Sequence, residues 1–347
     1  MNGTIGAAQG AVTFKTGNTA SMEEIDLDEL CANRAEFDTA VQASEAIDHY
    51  CSSAAWVLPA QRAFSPDAPV LALRSDAGYA ALAAGEAPSI GRYYAALESM
   101  WGLACPIVGP DPRALALAFF DAMHRRRGDW DALWIGGLSR DALLFKALVS
   151  LFASTHSLRW GPTSGRYAAL LEGGYSAWLA RRPSKFRANI RRTRRRVAER
   201  GVTFHPLATE GLGADAIYAR ILAIEARSWK GLSESGITTG GMRTFYEEAL
   251  RILVPDRRFR GLVAVLDGED IGFVFGGILG TTFRGLQCSF DNRFRDLSLG
   301  NVLHAMMIES LCEEPITHYD LGSEIAYKAR WGEPGLNTVT LVAVQQC

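Results

Sequence analysis

Apolar and polar positions alternate with two different periods along the chain, and the order of the resulting elements repeats. A helical pattern over residues 36–50 is followed by strand-like runs at 70–74, 79–84 and 92–97. The segment 75–78 between the first two has hairpin chemistry. Gly109, Pro110, Asp111 and Pro112 break the pattern. A helix at 113–124, a strand at 132–136, a helix at 141–152 and a strand around Leu158 complete the first half. After Gly201 the order recurs. A strand at 202–206 leads to a helix at 214–229, whose Ile217, Ile221, Ile224 and Ser228 share one face, and to a second helix at 242–253. Strands follow at 260–266, 271–279 and 283–290, the first two joined through Asp267 and Gly268, a hairpin signal. A helix at 301–312, a strand at 317–321, a short helix at 324–331 and a strand at 338–344 close the chain. The pattern predicts two α/β lobes.

Between the halves lies a basic helix. Pro183 and Ser184 open it, Gly201 stops it, and Phe186, Ile190 and Val197 form its apolar stripe. Residues 181–200 hold nine arginines and Lys185 against Glu199, a local charge of +9 in a chain of net charge −2. This helix either binds an anionic partner, or places Arg187 and Arg191 in a structural or acceptor-lining role with the other arginines solvated. A pure nucleic-acid-binding module is disfavoured, because no aromatics interleave with the arginines.

A length of 347 residues and a hydrophobic content of 48% suffice for two cores. Six scattered cysteines form no C-x-x-C pair and no zinc spacing, which suits a reducing, cytoplasmic setting without a bound metal. No run of about 18 apolar residues predicts a membrane span. No leader is evident at the start, and residues 1–33 read as a disordered lead-in.

One loop carries recognisable chemistry. Residues 291–300 leave a strand and open a helix, with Arg295, Ser298 and Gly300 spaced along them. A helix N-terminus exposes unpaired N–H groups and the positive end of the dipole, an anion site suited to a pyrophosphate. Small side chains at Ser298 and Gly300 allow close approach, and Arg295 adds a charge.

This loop resembles the acyl-CoA site of GNAT transferases, Q/R-x-x-G-x-G/A, with Arg295, Ser298 and Gly300 at the fixed positions and Ser298 replacing the first glycine. A wider set of markers is similar to the GNAT subfamily associated with bacterial cellulose biosynthesis. It comprises Tyr175, Trp178, Leu179, Ser184, Phe186, Arg187, Ile190, Arg191, Arg192 and Gly201, then Ser228, Trp229 and Lys230, then Tyr319, Asp320, Gly322, Tyr327, Lys328 and Trp331. That subfamily in turn resembles the Fem peptidyltransferases, which have two GNAT-like lobes in one chain. The resemblance implies two tandem GNAT-like lobes of mixed, mostly antiparallel sheet flanked by helices. A degenerate lobe spans 34–172, the basic connecting helix 173–201, and a catalytic lobe 202–347. It implies cofactor contacts from Gln287, Cys288, Arg295, Ser298, Leu299, Gly300 and Asn301, and substrate contacts from Arg187, Arg191, Trp229 and Trp331. For catalysis it implies Asp320 as proton acceptor, Tyr327 as proton donor to the thiolate and Lys328 beside the oxyanion. His304 and His318 read as structural histidines, and no Ser-His-Asp order suggests a covalent intermediate.

The expected reaction is direct transfer from acyl-CoA, or from an acyl-carrier protein, to the amine of a small molecule or peptide side chain. The alternatives are a Fem-like transferase that draws on aminoacyl-tRNA, and a non-catalytic binding protein on the same scaffold.

Overall fold

Strand pairing carries both halves of the chain into a single sheet. The structure, a computed structural model, describes residues 21–346 apart from Ser99, Glu210 and Glu234. The first half contains β1 (Glu23–Ile25), α1 (Leu27–Ala32), α2 (Arg34–Ala43), α3 (His49–Ser52), α4 (Ala54–Phe64), β2 (Val70–Ser75), β3 (Gly78–Ala87), β4 (Gly91–Ala96), β5 (Ile107–Val108), α5 (Pro112–Arg125), β6 (Ala132–Leu138), α6 (Leu143–Phe152) and β7 (His156–Leu170). Then come α7 (Gly174–Ala180) and the basic helix α8 (Ser184–Glu199). The second half contains β8 (Thr203–Pro206), α9 (Ala214–Glu225), α10 (Trp229–Leu232), α11 (Gly240–Leu253), β9 (Phe259–Leu266), β10 (Glu269–Leu279), β11 (Thr282–Phe290), α12 (Leu299–Leu311), β12 (His318–Ser323) and β13 (Glu333–Gln345).

Three sequence expectations change. The lead-in is ordered from Glu23: β1 pairs with β2, and Asp26 caps α1 by accepting from the Glu29 N–H at 2.7 Å. Residues 1–20 lie outside the described residues. The helix expected to run to Tyr50 ends at Ala43, and Asp48 caps the separate α3. Helix α4 had no periodic signal because Ala54 to Gln61 are all buried, so it has no polar face to mark the turn.

The sheet runs β1-β2-β3-β4-β6-β13-β7-β12-β11-β10-β9-β8, with β5 on β3. Each lobe is an antiparallel meander closed by one parallel pair, β4 with β6 and β11 with β12. The centre is exchanged between lobes. Strand β7 leaves the first lobe to pair with β12 of the second, and β13 leaves the second to pair with β6 of the first. The two exchanged strands pair with each other from Glu333↔Ala168 to Gln345↔His156.

Helix α8 packs Ile190, Thr193 and Val197 inward, where Ile190 and Val197 join α12 in the second core. Arg194 pairs with Glu309 of α12 at 2.7 Å, and Arg196 donates to the Asp296 carbonyl at 2.5 Å. Among the described residues no helix is long and apolar enough to cross a membrane.

Candidate functional site

The parallel pairing of β11 with β12 runs from Thr282↔His318 to Arg284↔Asp320 and ends there, although β11 continues to Phe290. A Cβ at Gly285 would come within 2.6 Å of Tyr319 Cε2, so only glycine lets the Tyr319 ring cross the split. A cleft of about 550 Å³ opens at this point. Its lining includes Gln287, Cys288, Arg295, Ser298, Gly300, Asn301, Tyr327, Lys328 and Trp331. Segments distant in sequence thus meet on one surface.

The wall formed by α12 begins with Ser298 in a left-handed conformation (φ 55°, ψ 39°), and no side chain caps the helix. Leu299 buries its side chain in the core, so only its backbone faces this end. A Cβ at Gly300 would meet nothing closer than Phe290 at 3.5 Å. Packing therefore leaves room for a side chain at Gly300, and the bare backbone stays open to a ligand.

Three lining residues with polar side chains were not anticipated as site residues: Lys230, His304 and Tyr319. Lys230 Nζ donates to Gln287 Oε1 at 2.8 Å and to the Cys288 carbonyl at 3.1 Å, with the buried Glu225 carboxylate 3.7 Å away. Gln287 in turn donates to the Tyr246 hydroxyl at 2.9 Å. His304 Nδ1 lies 2.7 Å from the Tyr319 hydroxyl. Burial, helped by the charges of Lys328 and Lys230, lowers the His304 pKa to about 4, so the ring is neutral at pH 7. The available signal was spacing: His304 follows Gly300 by one helical turn and shares its face.

Lys328 Nζ donates to the Ser323 carbonyl at 3.0 Å. Burial first, and Arg284 second, lower its pKa to about 8. Tyr327 is 54% exposed at the cleft mouth, and burial of part of its ring raises its pKa, leaving the hydroxyl protonated at pH 7. Burial pushes the Cys288 thiol up to about 12, which removes it as a nucleophile. Trp331 is buried, stacks on Trp178 at 5.9 Å and accepts from the Trp178 indole N–H at 2.9 Å.

Four expected residues stand elsewhere. Strand alternation turns Tyr319 and Leu321 toward the cleft and Asp320 to the opposite face. There Asp320 accepts from Arg284 at 2.7 Å and from the Gly322 N–H at 2.7 Å, with Arg166 at 4.0 Å. Burial opposes its charge, but the two arginines outweigh that and hold the carboxyl below its usual range. Asp320 is therefore a charge partner between lobes and faces away from this cleft. Arg187 folds back onto the Arg182 carbonyl at 2.6 Å, and Arg191 is exposed on α8. Trp229 is 58% exposed and does not line the cleft.

The chain is similar in structure to FemX, with a TM-score of 0.64 and 13% identity over 92% of this chain and 97% of that one. It is similar to a conserved protein of unknown function from Bacteroides thetaiotaomicron VPI-5482, with a TM-score of 0.61 and 14% identity over 94% and 100%. L-PGS from Bacillus licheniformis follows with 0.57 and 12% identity over 93% of each chain. At these identities the likeness is one of fold, and it spans both halves: a mixed α/β protein of two tandem GNAT-like lobes. No curated protein matches the chain. Residues 184–329, which contain α8, the α12 loop and most of the cleft, match the family model described as Acetyltransferase (GNAT) domain.

Proposed function

We propose that this protein transfers an acyl group from a CoA thioester to an amine in the cleft between β11 and β12. The observation that carries this reading is the uncapped N-terminus of α12, set beside Arg295 on the wall of that cleft. Backbone N–H groups at Leu299 and Gly300 would receive the pyrophosphate, with Arg295 neutralising charge. The pantetheine arm would follow β11 past Gln287 and Cys288 toward Lys328. An acyl-carrier protein would present the same thioester. We also read the protein as cytoplasmic and as related to the cellulose-biosynthesis subfamily, on its free cysteines and on the markers quoted above.

Joining a thioester to an amine needs a free amine, a stabilised oxyanion and a proton for the leaving thiolate. Lys328 as an ammonium supplies positive charge for the oxyanion. The Tyr327 hydroxyl supplies the proton to the thiolate. Among the described residues no carboxylate lines the cleft, so the acceptor enters as its free base or loses its proton to solvent. Cys288 takes no covalent part, so the acyl group passes directly to the amine.

Thermal melting with acetyl-CoA, a long-chain acyl-CoA and free CoA tests the donor site. Ligand at 100 times its dissociation constant adds about 2.7 kcal/mol of stability. The shift should vanish in Arg295→Ala/Gly300→Asp, and a preference among the thioesters would identify the acyl length. No shift with any CoA species would overturn the CoA reading and transfer weight to charged tRNA, toward which the exposed arginines of α8 point, or to a non-catalytic scaffold.

A further inference from the structure

The first lobe repeats the strand split but fills it differently. The parallel pairing of β4 with β6 ends at Ala95↔Trp134, as that of β11 with β12 ends at Arg284↔Asp320. The segment from Trp101 to Cys105 lies against β6 here. A Cβ at Gly137 would come within 2.5 Å of the Cys105 nitrogen, and one at Gly136 within 3.1 Å of the Gly102 carbonyl. The segment is tied down by Glu98, which is fully buried. Its carboxylate accepts from the N–H groups of Trp101 at 2.5 Å, Gly102 at 3.3 Å, Leu103 at 2.9 Å and Ala104 at 3.3 Å. A cluster of backbone N–H groups is an anion seat, and in this lobe the protein's own carboxylate occupies it.

Beside this plug the split remains open as a cavity of about 510 Å³, within the size range of small-molecule sites. Tyr93, Trp101 and Trp134 wall it, and Thr163, Thr338 and Thr340 bring hydroxyls. Among its described lining residues there is no lysine, arginine, histidine or aspartate, and the charge of Glu98 is already met by four donors. A phosphate or carboxylate entering here would lose its hydration with no cation to replace it. The donor cleft differs on this point, being lined by Arg295, Lys230 and Lys328.

We propose that the split of the first lobe is a second ligand site, closed to CoA and built for an uncharged, apolar-bodied molecule with hydroxyl-matched polar groups. Strand β12 links the two sites: Leu321 lines the donor cleft, and Ser323, about 7 Å further along the strand, lines this one. Under the transferase reading, on which this role alone rests, the site holds the body of the acceptor.

The test uses the whole chain and N-phenyl-1-naphthylamine, a neutral apolar fluorophore. A saturable fluorescence rise is expected, unaffected by excess CoA and unchanged in Arg295→Ala. Ala95→Phe fills the cavity and should weaken binding at least tenfold. Thr163→Trp fills its exposed edge and should do the same should Ala95→Phe fail to fold, with melting curves confirming which variants are intact. Absence of a saturable rise, displacement by CoA, or full binding in folded variants would overturn the proposal. Failure of acetyl-CoA to bind in the same samples would sink the transferase reading and leave this site standing.

Discussion

His304 and Tyr319 meet in the cleft between β11 and β12, Nδ1 to hydroxyl at 2.7 Å, one from α12 and the other from β12. Burial and two nearby lysines keep the imidazole neutral, lowering its pKa from 6.5 to about 4. The unfolded chain takes up this proton near 6.5, and the folded protein only near 4. Stability is therefore fully present above pH 6.5 and falls as pH drops toward 4. Melting temperature against pH should show this slope in the wild type and a shallower one in His304→Gln. Equal slopes would mean that the ring titrates freely.

Lys328 sets the alkaline limit of the proposed reaction. With its pKa lowered to about 8, the ammonium loses its charge as pH rises through that value. The kcat/KM for acetyl-CoA and an accepted amine should fall above pH 8. Lys328→Arg should retain activity and lose that descending limb, while Lys328→Met should lower kcat by roughly 10²–10³, the scale of one lost oxyanion donor. An unchanged pH profile in Lys328→Arg would remove Lys328 from the chemistry.

Asp320 should matter to stability and not to the chemical step. It bonds Arg284 in the buried seam between the lobes, where removing one partner strands the other charge. Asp320→Asn should cost about 3–5 kcal/mol of unfolding free energy, and Asp320→Leu with Arg284→Met should recover much of it. A denaturant titration measures both. A normal melt with abolished turnover would instead return Asp320 to the active site.

The exchanged strands predict that the second half cannot fold alone. A fragment of residues 184–347 lacks β7, which leaves β12 without one neighbour and β13 without either partner. Circular dichroism should show no cooperative melt, and the exposed edges should promote aggregation. Co-expression with residues 21–183, which supply β7 and α7, should restore a soluble complex. A fragment that melts cooperatively by itself would show that the exchange is dispensable.

The turn that carries Arg295, Ser298 and Gly300 was legible because it is a local object: a strand end, a small-residue loop and a helix start within ten residues. The basic helix was legible for the same reason, since its apolar stripe and its stop at Gly201 lie within one element. Helix α4 was not, because a helix buried on every side shows no polar period. Nor was the orientation of Asp320, because one residue of strand register decides which face it takes.

The sequence by itself determined most of the element order after β2, the two lobes, the cationic helix and the α12 loop, all of which follow from side-chain periodicity and backbone preferences over a few residues. Only the tertiary structure decided that β7 and β13 trade lobes, that Lys230 reaches Gln287 and that His304 faces Tyr319. It also showed Glu98 filling the anion seat of the first lobe. Each of these rests on pairing or packing between groups brought together by long-range strand register or by loop closure, and no local pattern encodes which of many compatible partners is met.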